Sequence, residues 1–152
     1  MAVGSGLQPV LRVPLAGLLA WIVPGLGHLF IGERVRGLIY LIAITITFWG
    51  GIAIGGVRDT VEPRSRTAWF MAQTCTGVHC LAAFQWGERL RHNPDTPASA
   101  WAHHRSAETA VVYTGIAGLL NLLAIFDALV RADAVSARPR PKVASRLRKG
   151  AG

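Results

Sequence analysis

The sequence predicts an all-α fold, an integral membrane bundle of four transmembrane helices. Only 16% of the 152 residues are charged, whereas about a quarter of an average globular domain is charged. Hydrophobic residues make up 51% of the chain. The charges are also segregated, because long windows carry no Asp, Glu, Lys or Arg and the connectors carry nearly all of them. This composition excludes a disordered chain, and two cysteines are too few for a disulfide scaffold.

Four windows have the length of a membrane span: residues 13–32, 37–57, 67–87 and 109–130. A helix rises about 1.5 Å per residue and the hydrocarbon core is about 30 Å thick, so roughly 20 residues suffice. A soluble bundle would need a polar stripe along each helix, and the windows show almost no charged residues at the ~3.6-residue spacing of such a stripe. We therefore predict a short N-terminal segment (1–12), a transmembrane domain (13–130) with a connector (88–108), and a basic tail (131–152).

The first window is interrupted by Pro24-Gly25-Leu26-Gly27. Proline lacks the amide hydrogen that a helix interior needs, so the helix is expected to kink or end there. Two alternatives stay open: a kinked span, or a short helix followed by a re-entrant half-helix. The third window is the most polar of the four and is expected to span the membrane over residues 67–87.

The distribution of basic residues predicts the orientation of the chain in a cell membrane. With four spans, eleven Lys and Arg residues fall on the side of the termini and five on the other side. The positive-inside bias then places both termini in the cytoplasm. The tail is expected to be disordered and to contact anionic lipid headgroups or to act only as a topology determinant. Its basic residues are Arg138, Arg140, Lys142, Arg146, Arg148 and Lys149. Nucleic-acid binding is not favoured because the tail has no aromatic residues.

Small residues recur at a spacing of four in every window. In lipid, helices associate by close packing of such residues, so these rows predict a tight bundle and a surface for a second copy or another membrane protein. The rows are Ala16, Ala20 and Pro24; Ala43, Thr47, Gly51 and Gly55; Ala68, Ala72, Thr76 and Cys80; and Ala110, Thr114 and Gly118.

Polar residues inside the windows are the candidate functional sites, because polar groups in a bilayer usually face the bundle or a cavity. Gln73 and His79 lie in the third window. Asn121 is expected to form an interhelical hydrogen bond. For Asp127 we favour an ion pair with Arg131, four residues further on, or snorkelling to water, over a proton or ion site.

Enzyme signatures are mostly absent from the sequence. All six serines lie outside the windows, and a single intramembrane aspartate lacks the second carboxylate of an acid/base pair. There is neither a P-loop lysine motif nor a GxGxxG motif. Cys75, His79 and Cys80 lack metal-site spacing and a fourth ligand. We therefore expect no catalytic residue, no metal and no cofactor.

The turn after the first window carries a family resemblance. Pro24, Gly25, Gly27, His28 and Gly32, followed by Arg34, Arg36 and Gly37, resemble the turn that joins the two helices of the two-transmembrane-helix (TM-two) domain. Phe30 replaces the usual tyrosine of that family, and Glu33 displaces the usual arginine. The segment from Ala117 to Leu123, with Asp127 and Ala128, looks like the closing span of a bacterial membrane family of unknown function with the same opening turn. The resemblance implies a multi-span membrane protein and no established activity.

His28 has two interpretations within this turn. It is either a pH-sensitive or ligand-binding group, or it satisfies backbone groups freed by the bend, and we favour the second. For the whole protein, we expect a non-enzymatic membrane assembly or accessory subunit. The alternative is a small-solute or ion transporter that uses the polar residues of the third and fourth windows.

Overall fold

The computed structural model describes residues 9–61, 63, 66–93 and 104–137, and these residues form helices without any strand. The helices are α1 (Pro9–Ile22), α2 (Leu26–Ile31), α3 (Arg34–Gly55), α4 (Val57–Thr60), α5 (Thr67–Thr74), α6 (Val78–Arg91) and α7 (His104–Ser136). The expected all-α class is confirmed for this part of the chain. Most of the basic tail, from residue 138 onwards, lies outside the described residues.

Two of the described helices, α3 and α7, are long and apolar enough to cross a membrane, by length and composition. Their 22 and 33 residues correspond to about 33 Å and about 50 Å. They run antiparallel, because Glu33 before α3 binds Arg131 late in α7. At the other end, Gly51 packs against Thr114. Helix α7 continues past residue 130 to Ser136, so the prediction that disorder begins at residue 131 is wrong.

The first window forms a helical hairpin, not a single span. Helix α1 begins beside the carboxyl-terminal end of α7, where Ala16 clusters with Ala132, and its last turn reaches Asn121 in the middle of α7. The chain then reverses at Gly25, whose φ of 81° is readily available only to glycine. Helix α2 returns to the end of α7, where Ile31 joins the Ala16 and Ala132 cluster. This geometry has the helix-bend-helix form of the second alternative.

The third window also forms a hairpin, so the prediction of one continuous helix over 67–87 is wrong. Helix α5 runs beside α7 from the Arg66–Glu108 ion pair to Asn121, which binds the Cys75 carbonyl. The Thr76 hydroxyl donates to the Gln73 carbonyl at 2.7 Å. Local side-chain bonds of this kind compete with the backbone hydrogen bonds of a helix and favour its end here. After Gly77 (φ 59°), α6 turns back and packs against α4.

The two hairpins enter the bundle from opposite ends and meet at their tips. Gly77 lies so close to the carbonyl oxygens of Trp21 and Ile22 that a Cβ atom there would collide with them. Each hairpin is followed in the chain by one long helix, α3 or α7. The two halves therefore have inverted topology, an arrangement known from membrane proteins with internal repeats. Four continuous crossing helices are thus replaced, in the described chain, by two long helices and two hairpins.

Small and polar side chains form the inner face of α7. A stripe of fully buried residues follows its inner face: Ala110, Thr114, Ala117, Asn121, Ala124, Ala128 and Ala132. Gly118 belongs to the same face, and a Cβ there would collide with the Ala72 carbonyl of α5. The sequence-predicted rows of α1 and α7 therefore pack inside the chain, as close helix contact requires.

Candidate functional site

Five charged or titratable side chains meet where α2, α3 and α7 converge, and we call them the ionic cluster: His28, Glu33, Arg36, Asp127 and Arg131. His28 Nε2 lies 2.9 Å from Asp127 Oδ2. Arg131 Nε donates to both Asp127 oxygens at 2.9 Å, and its Nη1 donates to Glu33 Oε1 at 3.0 Å. Arg36 lies further out, 3.6 Å from Glu33 and 4.0 Å from Asp127.

Glycines in the turn bring His28 into this cluster. Gly27 lies against α1, where a Cβ would collide with the Ala16 carbonyl and would lie 3.2 Å from the Ala128 Cβ. Gly25 lies equally close to the backbone of Gly37 in α3. The absence of side chains at these two positions lets α2 approach its three neighbouring helices. The motif read from the sequence is therefore a close-packing motif.

His28 does not satisfy the backbone freed by the bend, so that interpretation is wrong. Its side chain is completely buried, and its Nε2 pairs with a carboxylate 99 residues away instead. Its ring lies 4.9 Å from the Tyr40 ring, centroid to centroid. Nδ1 has no hydrogen-bond partner among the described residues. The physical reason is that α2 starts a new helix, in which the bend leaves no carbonyl within reach of the inward-facing ring.

Asp127 forms the expected ion pair with Arg131, and that prediction is confirmed. The side chains of Glu33, Asp127 and Arg131 are each about 30% exposed, so the cluster lies at the edge of the bundle and not in its centre. Together with Arg34, which starts α3, the segment carries three guanidinium groups against two carboxylates. This arrangement fixes three helix ends and leaves an excess of positive charge.

Asn121 connects the tips of both hairpins. Its Nδ2 donates to the Ala20 carbonyl of α1 at 3.1 Å and to the Cys75 carbonyl after α5 at 2.7 Å. The predicted interhelical hydrogen bond is confirmed, and it is doubled. Asn121 Oδ1 is buried without a partner in the described chain. A single amide thus joins the two halves at the middle of α7.

Gln73 and His79 make separate contacts. Gln73 Nε2 donates to the Thr60 carbonyl at 3.0 Å and to Thr114 Oγ1 at 2.7 Å, near the end of the bundle opposite the ionic cluster. His79 Nε2 lies 3.0 Å from Thr45 Oγ1. The four candidate polar residues of the sequence therefore lie in different places and do not line one site.

The cysteines make no shared site with His79. Because the chain turns at Cys75–Gly77, Cys75 and His79 belong to different helical segments and do not share a helix face. Both thiols are free. Within the described ranges, no group of three or more His, Cys, Asp or Glu side chains could hold a metal ion.

Sequence reasoning missed the roles of Glu33, Arg36 and Thr114. The sequence identifies Glu33 and Arg36 only as parts of the turn after the first window, although an acidic residue between the ends of two apolar windows indicates a partner of opposite charge. That partner, Arg131, is 98 residues away, and no local pattern identifies it. Thr114 was read as a small packing residue, while its hydroxyl in fact also accepts the Gln73 hydrogen bond.

The fold and the site together define a class of protein: a small helical bundle with two helices able to cross a membrane, joined at one end by an ionic cluster. The chain belongs to the family of unknown function DUF6677, which matches residues 15–140. This match covers the ionic cluster, the second hairpin and the first hairpin from residue 15 onwards, and it confirms the expected relation to a family of unknown function. The TM-two resemblance stays a prediction. No curated protein and no solved structure matches the chain.

Proposed function

We propose that the protein is a multi-pass protein of the cell membrane that acts as a non-enzymatic assembly or accessory subunit. The observation that carries the membrane assignment is the distribution of side chains. Small and polar residues form the inner face of α7, and most large apolar side chains of α7 and many of α3 point outward, although Ile44, Phe48 and Ile52 of α3 are buried. A water-soluble fold buries its large apolar side chains and exposes its polar ones. Lipid is the environment that favours large apolar side chains on the outside and small residues between the helices. The outward residues include Val35, Ile39, Ile46, Ile54, Ile116, Leu119, Leu123, Phe126 and Val130.

The proposed topology has two complete spans and two re-entrant hairpins. Helices α3 and α7 cross the bilayer, while α1–α2 and α5–α6 enter from opposite faces and turn back at Asn121. Irregular backbone at that depth is tolerated because it is buried in protein. In this topology ten basic residues lie on the side of the termini and six on the other. The positive-inside bias again favours cytoplasmic termini.

Cysteine labelling distinguishes this topology from four spans. Arg34 and Arg89 are both exposed, and they lie on the same side with four spans but on opposite sides with two hairpins. We would introduce Arg34→Cys or Arg89→Cys after replacing Cys75 and Cys80 by alanine, and add a membrane-impermeant thiol reagent to sealed vesicles. Labelling from opposite sides is expected. Labelling of both positions from one side would contradict the hairpin topology, and failure to fractionate with membranes would contradict the membrane assignment.

The role as an assembly subunit is supported by an outward row of small residues on α3. Ala43, Thr47 and Gly50 lie on the partly or fully exposed face, and a Cβ at Gly50 would meet nothing within 4 Å. By contrast, Gly51 packs against Thr114 and Tyr113 of the same chain. A neighbouring helix of a second polypeptide could therefore approach closely at Gly50 and not at Gly51.

Native mass spectrometry of the protein, gently extracted from its own membrane, tests this role. We expect Gly50→Leu to remove a reproducibly bound second chain, whereas Ala82→Leu, a similar enlargement at an exposed position of α6, should leave it bound. Because Gly50 has open space around it, the monomer should fold equally well in both variants. Bare monomers of the unaltered protein, carrying only lipid, would refute the assembly role.

A transporter is the second candidate function, and one observation favours it. Asn121 Oδ1 and Gln73 Oε1 are buried acceptors without partners in the described residues, and Asn121 lies where the two inverted halves meet. Solute sites of inverted-repeat transporters lie at such junctions. A flux assay in vesicles tests this candidate: Gln73→Leu should abolish a flux that the outward variant Ala82→Leu retains. If the protein supports no flux of any ion or small polar solute in a panel, the transporter candidate is refuted and the assembly role remains.

A further inference from the structure

We propose that the α2–α3 junction binds the headgroup of one anionic phospholipid. The site is an open depression of about 380 Å³ lined by Gly32, Glu33, Arg34, Val35 and Arg36. The sequence-based prediction assigned lipid contact to the tail alone and placed Arg34 and Arg36 on the opposite side of the membrane.

The charges around the depression favour an anion. Arg131 donates to both Asp127 oxygens and to Glu33 Oε1, but one guanidinium offsets only one of these two carboxylates. Arg36 is 3.6 Å or more from the same carboxylates, beyond hydrogen-bond distance. Arg34 is exposed and has no ion pair within the described part of the chain. With Arg36 counted against the second carboxylate, the cluster and Arg34 together carry one net positive charge. The planar donors of Arg34 and Arg36 make no hydrogen bond to a carboxylate in the described chain and are therefore able to reach a phosphate.

The surface next to the depression favours a lipid over a soluble anion. Val35 lies between the two arginines and is 74% exposed. Leu38, Ile39 and Ile42 extend the exposed apolar surface along α3, one of the two helices able to cross a membrane. A phospholipid whose phosphate is bound at Arg34 and Arg36 would thus have its acyl chains beside this surface. Charge at the boundary and apolar surface below it match the two parts of an anionic phospholipid.

This inference rests on the proposed membrane location, and the following test distinguishes failure of the lipid site from failure of the membrane location. The full chain, stripped of lipid in detergent, would be titrated with phosphatidylglycerol or with phosphatidylcholine of the same acyl chains and observed by native mass spectrometry. We expect one phosphatidylglycerol per chain to bind with clear preference. The variant with Arg34→Gln and Arg36→Gln should lose affinity for it on the order of tenfold.

Two variants control the charge argument. Arg138→Gln with Arg140→Gln removes the same charge from the tail and should keep the tightly bound lipid. Arg34→Lys with Arg36→Lys keeps the charge and should retain most of the binding. If the double glutamine variant does not fold, the lipid affinity of Arg34→Gln alone tests the site. This single variant is expected to fold because Arg34 makes no ion pair in the described chain.

Four outcomes would overturn the proposal. Equal binding of the two lipids, or unchanged binding by Arg34→Gln, would refute the site while leaving the membrane location intact. Displacement of the lipid by millimolar inorganic phosphate would identify a free anion as the ligand. A protein that remains in the soluble fraction without detergent would refute the membrane location itself.

Discussion

Replacing Gly118 by alanine tests whether the second hairpin is held against α7 by backbone contact. The added Cβ would collide with the Ala72 carbonyl oxygen and would lie 2.7 Å from the Ala72 carbonyl carbon and 3.3 Å from the Gln73 Cα. These are backbone atoms, which cannot rotate away, so α5 must move by about 1.5 Å to restore contacts of about 3.5 Å. Overpacking of this kind typically costs about 1–3 kcal/mol.

Gly50→Ala is the matched control, because both glycines lie inside helices and only Gly118 is enclosed. Alanine raises helix propensity by up to about 1 kcal/mol at either position, so the difference between the variants isolates the contact with α5. We would measure the free energy of unfolding in mixed micelles by tryptophan fluorescence. Gly118→Ala should be less stable than Gly50→Ala by about 1–3 kcal/mol. Equal stabilities would refute the packing of α5 on α7.

Three further predictions concern the tips and the ionic cluster. Asn121→Ala should lower the free energy of unfolding by about 1–2 kcal/mol and increase amide exchange at both hairpin tips, because two carbonyls lose their donor. A double-mutant cycle of His28→Gln and Asp127→Asn should give a coupling energy of about 1–3 kcal/mol in unfolding experiments, and strict additivity would contradict their pairing. Gly77→Ala should destabilise the protein more than Gly32→Ala, as measured by thermal unfolding, since both have positive φ but only Gly77 touches backbone.

The ionic cluster shows which part of the site could be predicted from the sequence. The Asp127–Arg131 pair follows from a spacing of four on one helix, and the structure contains it. The partners His28 and Glu33 lie nearly 100 residues away, so only the folded chain reveals them. The same reasoning applies to Asn121: its need for a partner follows from its position in an apolar window, whereas the two carbonyls that it binds depend on where the hairpins end.

Hydropathy could locate the apolar segments but could not count the helices that cross. All four windows have the length of a span, and two of them bend back at Gly25 and Gly77. The first bend is visible in the sequence because proline and glycine adjoin there. The second is not, since Gly77 needs its bare backbone to approach Trp21 and Ile22, which are residues of another segment.

The sequence by itself determined the helical class, the apolar character of the four windows, the break at Pro24 and the ion pair within α7. These properties depend on composition and on neighbours within one or two helical turns. The tertiary structure alone decided that two windows form opposed hairpins, that Asn121 joins their tips, and that His28 and Glu33 meet the end of α7. Such contacts connect residues about 50 to 100 positions apart, and their free energy depends on the close approach of helices that no local pattern encodes.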